Sequence, residues 1–234
     1  MAARPLIAAV VQARMSSRRL PGKVLRPLAG KPALQCLLER LERCEQVDRV
    51  IVATSTEPSD EPVAAFCESA GATFHRGPLE HVAARFGEVV ERFGLDAFVR
   101  VTADSPLLDQ ALVDRGAALY RKGGFDIVTN VYPRSTFPSG QSLEVVRAQA
   151  FRSALAHMDD PYEREHVTPY FYRRPEVFRI HNLVAEQDDS GLDVSLDTDD
   201  DARLIEAVLE RMDRPHWTYS SDEVTALARE VIAA

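Results

Sequence analysis

Short apolar runs rich in branched residues alternate with helix-periodic segments through the first half of this chain, and that alternation narrows the possible folds more than any other feature. Residues 6–11 are too few for a helix and apolar throughout, so they read as a buried first strand. Pro32 opens a helix whose Leu34, Leu37, Leu38 and Leu41 fall at i, i+3, i+4 and i+7. A second strand is predicted over 49–54. The helix after it starts at Ser59-Asp60-Glu61-Pro62, buries Val63, Phe66, Cys67 and Ala70, and ends at Gly71. A third strand at 73–75, a helix marked by Val82, Phe86, Val89, Val90 and Phe93, and a fourth strand over 97–103 complete the alternation. Strand–helix repetition of this kind predicts an α/β protein whose parallel sheet is joined by crossover helices and doubly wound in the order 3-2-1-4.

The second half is less regular. A helix over 109–121 stops at Gly123-Gly124, and strands are predicted over 125–131 and 143–146, separated by a Pro- and Gly-containing polar excursion over 132–140. Residues 151–172 suggest two short helices. Thr198 with Asp201 forms a capping box for a helix carrying Leu204, Ile205, Val208, Leu209 and Met212, and Asp197 stands before that cap at a strand end. Ser220 and Glu223 cap a final amphipathic helix with Val224, Leu227, Ala228 and Val231. With 234 residues and 45% hydrophobic content the chain is most simply one domain, residues 1–234, with a regular half over 1–124 and a less regular half over 125–234.

A basic loop leaves the end of the first strand. Arg14, Arg18, Arg19, Lys23, Arg26 and Lys31 follow one another with no Asp or Glu before Glu39, although the whole chain carries a formal charge of -8. A local positive field on an acidic protein fits a polyphosphate ligand. Ser16 and Ser17 add hydroxyl donors, while Gly22 and Gly30 permit close backbone approach. The loop is not a P-loop, because position 17 is Ser and Lys23 is followed by Val24, and it is not a G-x-G-x-x-G turn. In the doubly wound order, Asp104 at the end of the fourth strand faces this loop across the point where the winding reverses. As an Asx-turn or helix cap, Asp104 would need no chemistry.

The string Arg14-x-x-Ser17-x-Arg19-Leu20-Pro21-x-Lys23 with Gly30-Lys31-Pro32 resembles the signature loop of the CTP-dependent sugar cytidylyltransferases. The nearest likeness is to the spore-coat-polysaccharide-biosynthesis branch, with 3-deoxy-manno-octulosonate and acylneuraminate cytidylyltransferases as more distant relatives. Val99 to Leu107, Pro138-x-Gly140-x-x-x-Glu144-Val145, Arg164 to Tyr170, and Asp197-Thr198-x-x-Asp201 resemble further strings of the family in the same order. Departures occur at Ala103, where relatives often have Gly, at Ser142 (Asp), at Asp193 (Arg) and at Asp199-Asp200 (Pro-Glu). The resemblance implies a Rossmann-like, nucleotide-diphospho-sugar-transferase-type three-layer sandwich with a mostly parallel mixed sheet. It implies transfer of CMP from CTP to a sugar, expected to be acidic, or a similar small acceptor, with release of pyrophosphate, in making a cell-surface polysaccharide or glycoconjugate precursor.

Roles follow from the same likeness. Asp104 and Asp197 would hold Mg²⁺, and Arg14, Ser17, Arg19 and Lys23 would hold the phosphates. Arg14, Lys23, Asp104 and Asp197 would carry the catalysis. Arg85 and Arg100 are candidates for base or ribose, and His166 and Glu144 for the acceptor. Two facing carboxylates are expected to repel each other before a metal arrives. The likeness also implies a nucleotide-binding half over 1–124 and an acceptor half over 125–234, on which a homodimer would be built. Competing classes are a metal-dependent glycosyltransferase, since Asp197-Thr198-Asp199 also spells D-x-D, and an inactive nucleotide-binding homologue.

Other ligand classes have less support. Cys36, Cys44 and Cys67 are odd in number and lack C-x-x-C spacing, so buried reduced thiols are expected. The six His are scattered, and no second basic patch with interleaved aromatics suggests nucleic acid. No apolar run approaches the roughly 20 residues needed to span a bilayer, and the N-terminus reads as a strand rather than a signal peptide, so no membrane partner and a cytoplasmic location are expected.

Overall fold

The computed structural model describes residues 4–234. Strand β1 (Ile7–Gln12) lies at the centre and is buried along nearly its whole length. Its alternate side chains feed opposite faces. Ile7, Ala9 and Val11 pack with α1 (Ala33–Leu41) and α2 (Glu61–Ala70), while Ala8 and Val10 pack with α3 (Val82–Phe93). The loop after β1 includes a two-residue hairpin, β2 (Pro27–Leu28) against β3 (Lys31–Pro32).

Strands β4 (Arg49–Ser55), β5 (Phe74–Gly77), β6 (Ala97–Thr102), β7 (Ile127–Thr129), β8 (Glu144–Arg147) and β9 (Ile180–Asn182) complete a seven-stranded sheet ordered β5-β4-β1-β6-β8-β7-β9. Its first four members reproduce the expected 3-2-1-4 winding. β8 runs antiparallel to both β6 and β7, and the other pairs are parallel. Helix α4 (Gln110–Lys122) joins α1 and α2 on one face. On the other face α3 packs with α5 (Ala148–Leu155) and α6 (Pro161–His166), followed by α7 (Pro169–Tyr172). A third apolar cluster joins α8 (Asp199–Glu210) and α9 (Ser221–Ala233) to Leu28 and Leu107.

Several local expectations need correction. On α2 the buried residues are Val63, Ala64 and Cys67, whereas Phe66 is half-buried at the margin of the core and Ala70 exposed in the last turn, so the buried stripe is narrower than the apolar pattern. Residues 148–172 form three helices rather than two. No strand directly precedes Asp197: residues 194–197 are tied down individually, Val194 N–H to Ser139 O at 3.0 Å and Leu196 N–H to Asp104 O at 2.7 Å. Cys36 and Cys67 are buried and Cys44 half-buried, all free, and burial pushes the Cys36 and Cys67 thiols up to about 11. Among the described residues no helix is long and apolar enough to cross a membrane.

Glu39, on α1, accepts from Lys31 Nζ at 2.9 and 3.0 Å and from Gln35 Nε2 at 2.9 Å, and it meets His216 Nε2 at 2.8 Å. Burial would raise its carboxyl, but these partners outweigh burial and lower it from 4.5 to about 2. Its stabilising effect is therefore present above pH 4.5 and lost as pH falls towards 2. Glu39→Gln should lower Tm at pH 7, and the gap to the parent protein should close between pH 4.5 and 2 when melting curves are recorded across that range.

Candidate active site

The basic loop and the end of β6 meet where the winding reverses. Residues 13–23 fold over the C-terminal end of β1 because their backbone is anchored from below. Asp60, fully buried at the start of α2, accepts from Met15 N–H at 2.7 Å and from the Ser55 hydroxyl. Met15 O in turn takes Ser17 N–H at 3.0 Å and Gly22 N–H at 2.9 Å. Gly22 sits at φ +74°, which an L side chain rarely adopts, and Lys23–Leu25 then form a single 3-10 turn pinned by buried Val24. The loop is thereby a fixed platform rather than a loose tether.

This platform forms one wall of a cleft of about 490 Å³. Arg14, Ser17, Arg18, Arg19 and Lys23 line it from the loop, Gln12 from β1, and Arg100, Thr102 and Asp104 from β6 and its end. Arg85 on α3, Glu165 and His166 on α6, and Asp197 before α8 close it. Arg26 and Lys31 are not part of it. They pair elsewhere, Arg26 with Asp199 and Lys31 with Glu39.

The two candidate metal carboxylates come together although 92 residues of chain separate them, and a cation stands between them. Lys23 Nζ donates to Asp104 Oδ2 at 2.9 Å and to Asp197 Oδ1 at 2.7 Å, and Arg19 Nη2 donates to Asp197 Oδ2 at 2.6 Å. Burial alone would raise the Asp104 carboxyl, but the Lys23 ammonium, helped by Arg100, holds it below the ordinary value. The expected bare repulsion between the two acids is therefore absent, because Lys23 neutralises it. Asp104 does not cap a helix: that task falls to Asp109, which accepts from Ala111 N–H at 2.8 Å.

Behind Asp197, the Asp201 carboxylate does more than complete the capping box with Thr198. Its Oδ2 accepts from Thr198 N–H at 2.7 Å and from Asp197's own N–H at 3.0 Å, so the cap also orients the metal candidate. Asp199, by contrast, is exposed and turned towards Arg26, so the D-x-D spelling at 197–199 does not form a pair of ligands. The pair that forms is Asp197 with Asp104. Both are hard oxygen donors on opposite sides of a position already occupied by a positive charge, which fits a Mg²⁺ ion.

Three lining residues carry a buried polar atom with no hydrogen-bond partner: Gln12 Oε1, Arg85 Nε and Arg100 Nε. Such atoms are costly unless something pairs with them, and here they surround a cleft. Arg85 is 1% exposed and donates its Nη1 to Pro78 O at 2.8 Å. Arg100 Nη1 donates to Glu144 Oε2 at 2.6 Å, and Glu144 Oε1 accepts from Tyr172 Oη at 2.5 Å. Glu144 thus lies behind the cleft wall rather than on it. His166 reaches the cleft at the end of α6, and burial, with Arg100 and Arg14, lowers its imidazole pKa despite neighbouring Glu165. Glu165 itself accepts from Arg14 Nη2 at 3.2 Å, closing the basic loop against the second half of the chain.

A cytidylyltransferase family model matches residues 8–213, a span that includes the loop, both carboxylates and α6. The chain belongs to the cytidylyltransferase family. It is 31% identical over 233 residues to the spore coat polysaccharide biosynthesis protein SpsF of Bacillus subtilis, covering 96% of this chain and 95% of that one. It is 35% identical over 114 residues to the 3-deoxy-manno-octulosonate cytidylyltransferase of Geobacter sulfurreducens, covering 48% of this chain and 44% of that protein. The solved structure of a cytidylyltransferase from Leptospira borgpetersenii superposes with a TM-score of 0.91 at 27% identity, covering 97% of this chain and 95% of that one.

In this member of the family the residues missed in the sequence are the ones that support others. By sequence Asp60 reads as part of a helix start, Gln12 falls just past the strand read over 6–11, and Glu165 stands only within the string Arg164 to Tyr170. The run Ser59-Asp60-Glu61 carried no sign that its middle residue is buried. For Gln12 a signal existed, since a polar residue directly after five buried positions of a central strand has to point somewhere.

Proposed function

We propose that this chain transfers CMP from CTP to a sugar acceptor, acidic by likeness to the octulosonate-specific relatives, in the synthesis of a cell-surface polysaccharide or glycoconjugate precursor. The observation that carries it is the meeting of Asp104 and Asp197 with four loop cations in one cleft at the switch point of the sheet. An acceptor oxygen bonds to the α-phosphorus as the bond from that phosphorus to the β-phosphate bridge breaks. Pyrophosphate leaves with the electron pair, and the acceptor proton passes to solvent. Charge builds on the phosphate oxygens, so the protein's task is positioning and electrostatic stabilisation.

Arg14, Arg18, Arg19 and Lys23 neutralise the departing pyrophosphate, with Ser17 donating a hydrogen bond. Gln12, Arg85 and Arg100 line the part of the cleft left for base and ribose, and His166 faces the acceptor side. Asp104 and Asp197 would hold Mg²⁺, which supplies positive charge at the α-phosphate when bound. Among the described residues no group of three or more His, Cys, Asp or Glu gathers, so phosphate oxygens and water would complete the coordination. The same reading takes the chain to be a cytoplasmic homodimer joined through 125–234, without nucleic-acid or membrane partners. Against a glycosyltransferase stands the outward turn of Asp199. Against an inactive homologue stands the convergence of both carboxylates with the loop cations.

CTP with Mg²⁺ should raise Tm more than ATP, GTP or UTP does, and pyrophosphate should appear when CTP and an acidic sugar are supplied together. An equal or larger thermal shift with UTP would move the assignment towards a uridylyltransferase or glycosyltransferase.

A further inference from the structure

We propose that Lys23 is the resident cation of the Asp104–Asp197 pair in the nucleotide-free protein, so that the pair accepts a divalent cation only when it arrives with a nucleotide. All four carboxylate oxygens already have a donor: Lys23 on Asp104 Oδ2 and Asp197 Oδ1, Arg19 on Asp197 Oδ2, and the Ser105 hydroxyl on Asp104 Oδ1 at 3.4 Å. Two cations against two anions leave the cluster neutral. A bare divalent ion must therefore displace an ammonium that is itself 8% exposed and held at 2.7 and 2.9 Å. With only two protein carboxylates and no third donor of that kind nearby among the described residues, little coordination energy is available to do so.

A triphosphate alters that balance. It brings negative charge to the same wall of the cleft and gives Lys23 and Arg19 a stronger set of oxygens to join. The backbone of Lys23 need not move, since the 3-10 turn is pinned by Lys23 N–H to Leu20 O at 3.2 Å, Arg26 N–H to Lys23 O at 3.1 Å and buried Val24. Its four-carbon side chain can swing while the platform stays fixed. Lys23 thus serves two partners in turn, carboxylates first and phosphates second, and selects the metal–nucleotide complex over free metal.

The proposal rests on the assignment of Asp104 and Asp197 as metal ligands, and Mn²⁺ binding followed by electron paramagnetic resonance separates the two. Without nucleotide, Lys23→Met and Lys23→Gln should each bind Mn²⁺ at least ~10-fold more tightly than the parent protein, and adding Asp197→Asn to either should abolish the gain. CTP should tighten Mn²⁺ binding in the parent protein, while both Lys23 variants bind CTP more weakly. Equal Mn²⁺ affinity in parent and both variants without nucleotide, or a gain that survives Asp197→Asn, overturns the role of Lys23. Failure of the parent protein to take up Mn²⁺ even with CTP overturns the ligand assignment instead.

Discussion

Asp104→Asn and Asp197→Asn should each lower turnover by about 10²-fold or more, the scale on which removing one group that stabilises transition-state charge is felt. Asparagine keeps the size and one oxygen but removes the charge a divalent cation needs. Both variants should also be less stable than the parent protein, by about 1.5–3 kcal/mol, the scale of a hydrogen bond to a charged group. The reason is Lys23: each substitution takes a carboxylate away from a nearly buried ammonium instead of relieving repulsion between two acids. Asp201→Ala is the informative companion. Loss of the cap should cost about 1 kcal/mol, and because Asp201 also holds the Asp197 N–H, metal affinity and turnover should fall too, by less than for Asp197→Asn. Melting temperature with and without Mg²⁺ and CTP, together with initial rates, distinguishes the three. Unchanged turnover in Asp104→Asn would remove that residue from the chemistry.

Arg40→Met should be among the most destabilising single substitutions in the chain without touching the cleft. Arg40 is fully buried on α1, yet its partners are three backbone carbonyls: Nε donates to Leu108 O at 2.7 Å, Nη2 to Tyr219 O at 2.6 Å and Nη1 to His216 O. Burial lowers its guanidinium to about 10, still charged at neutral pH, with Asp109 the largest opposing charge. Methionine fills much of the volume but takes a charged donor from three carbonyls, of which His216 O keeps only a long bond from Tyr219 N–H at 3.4 Å, and each buried acceptor left without a partner costs about 1–3 kcal/mol. That is a large share of the roughly 5–15 kcal/mol that holds a domain folded. Lysine should not restore it, since a single ammonium cannot reproduce the planar fork that reaches three acceptors. Urea unfolding should show a much lower midpoint for both variants, and limited proteolysis should find new cleavage near 211–220, the segment Arg40 ties down. A midpoint within experimental error of the parent protein would show that those carbonyls find other partners.

Much of the first half was legible because its signals are local. A buried central strand needs an unbroken apolar run, and an amphipathic helix repeats its apolar residues every three or four positions. The 3-2-1-4 winding followed from that alternation and appears as β5-β4-β1-β6. Capping boxes at Thr198–Asp201 and Ser220–Glu223 were equally plain, since each is a contact between residues three apart. The second half was harder. β8 enters the sheet antiparallel between β6 and β7, and the three-residue strands β7 and β9 offer too few positions for a period to show. The segment before Asp197 has the apolar content of a strand, but its hydrogen bonds go to single residues of two different loops.

The sequence by itself determined the α/β alternation, the basic loop after β1, the two carboxylates and the family likeness, because each is written in neighbouring residues or in a recurring string. Only the tertiary structure decided which of those residues meet. It put Arg14, Arg18, Arg19 and Lys23 in the cleft and sent Arg26 and Lys31 elsewhere, and it turned Asp199 away while bringing Asp197 to Asp104. Lys23 and Asp197 lie 174 residues apart, and Arg40 and His216 lie 176 apart. A charged side chain gains its role from the counter-charge or carbonyl that folding places beside it, and no local pattern encodes a partner at that distance.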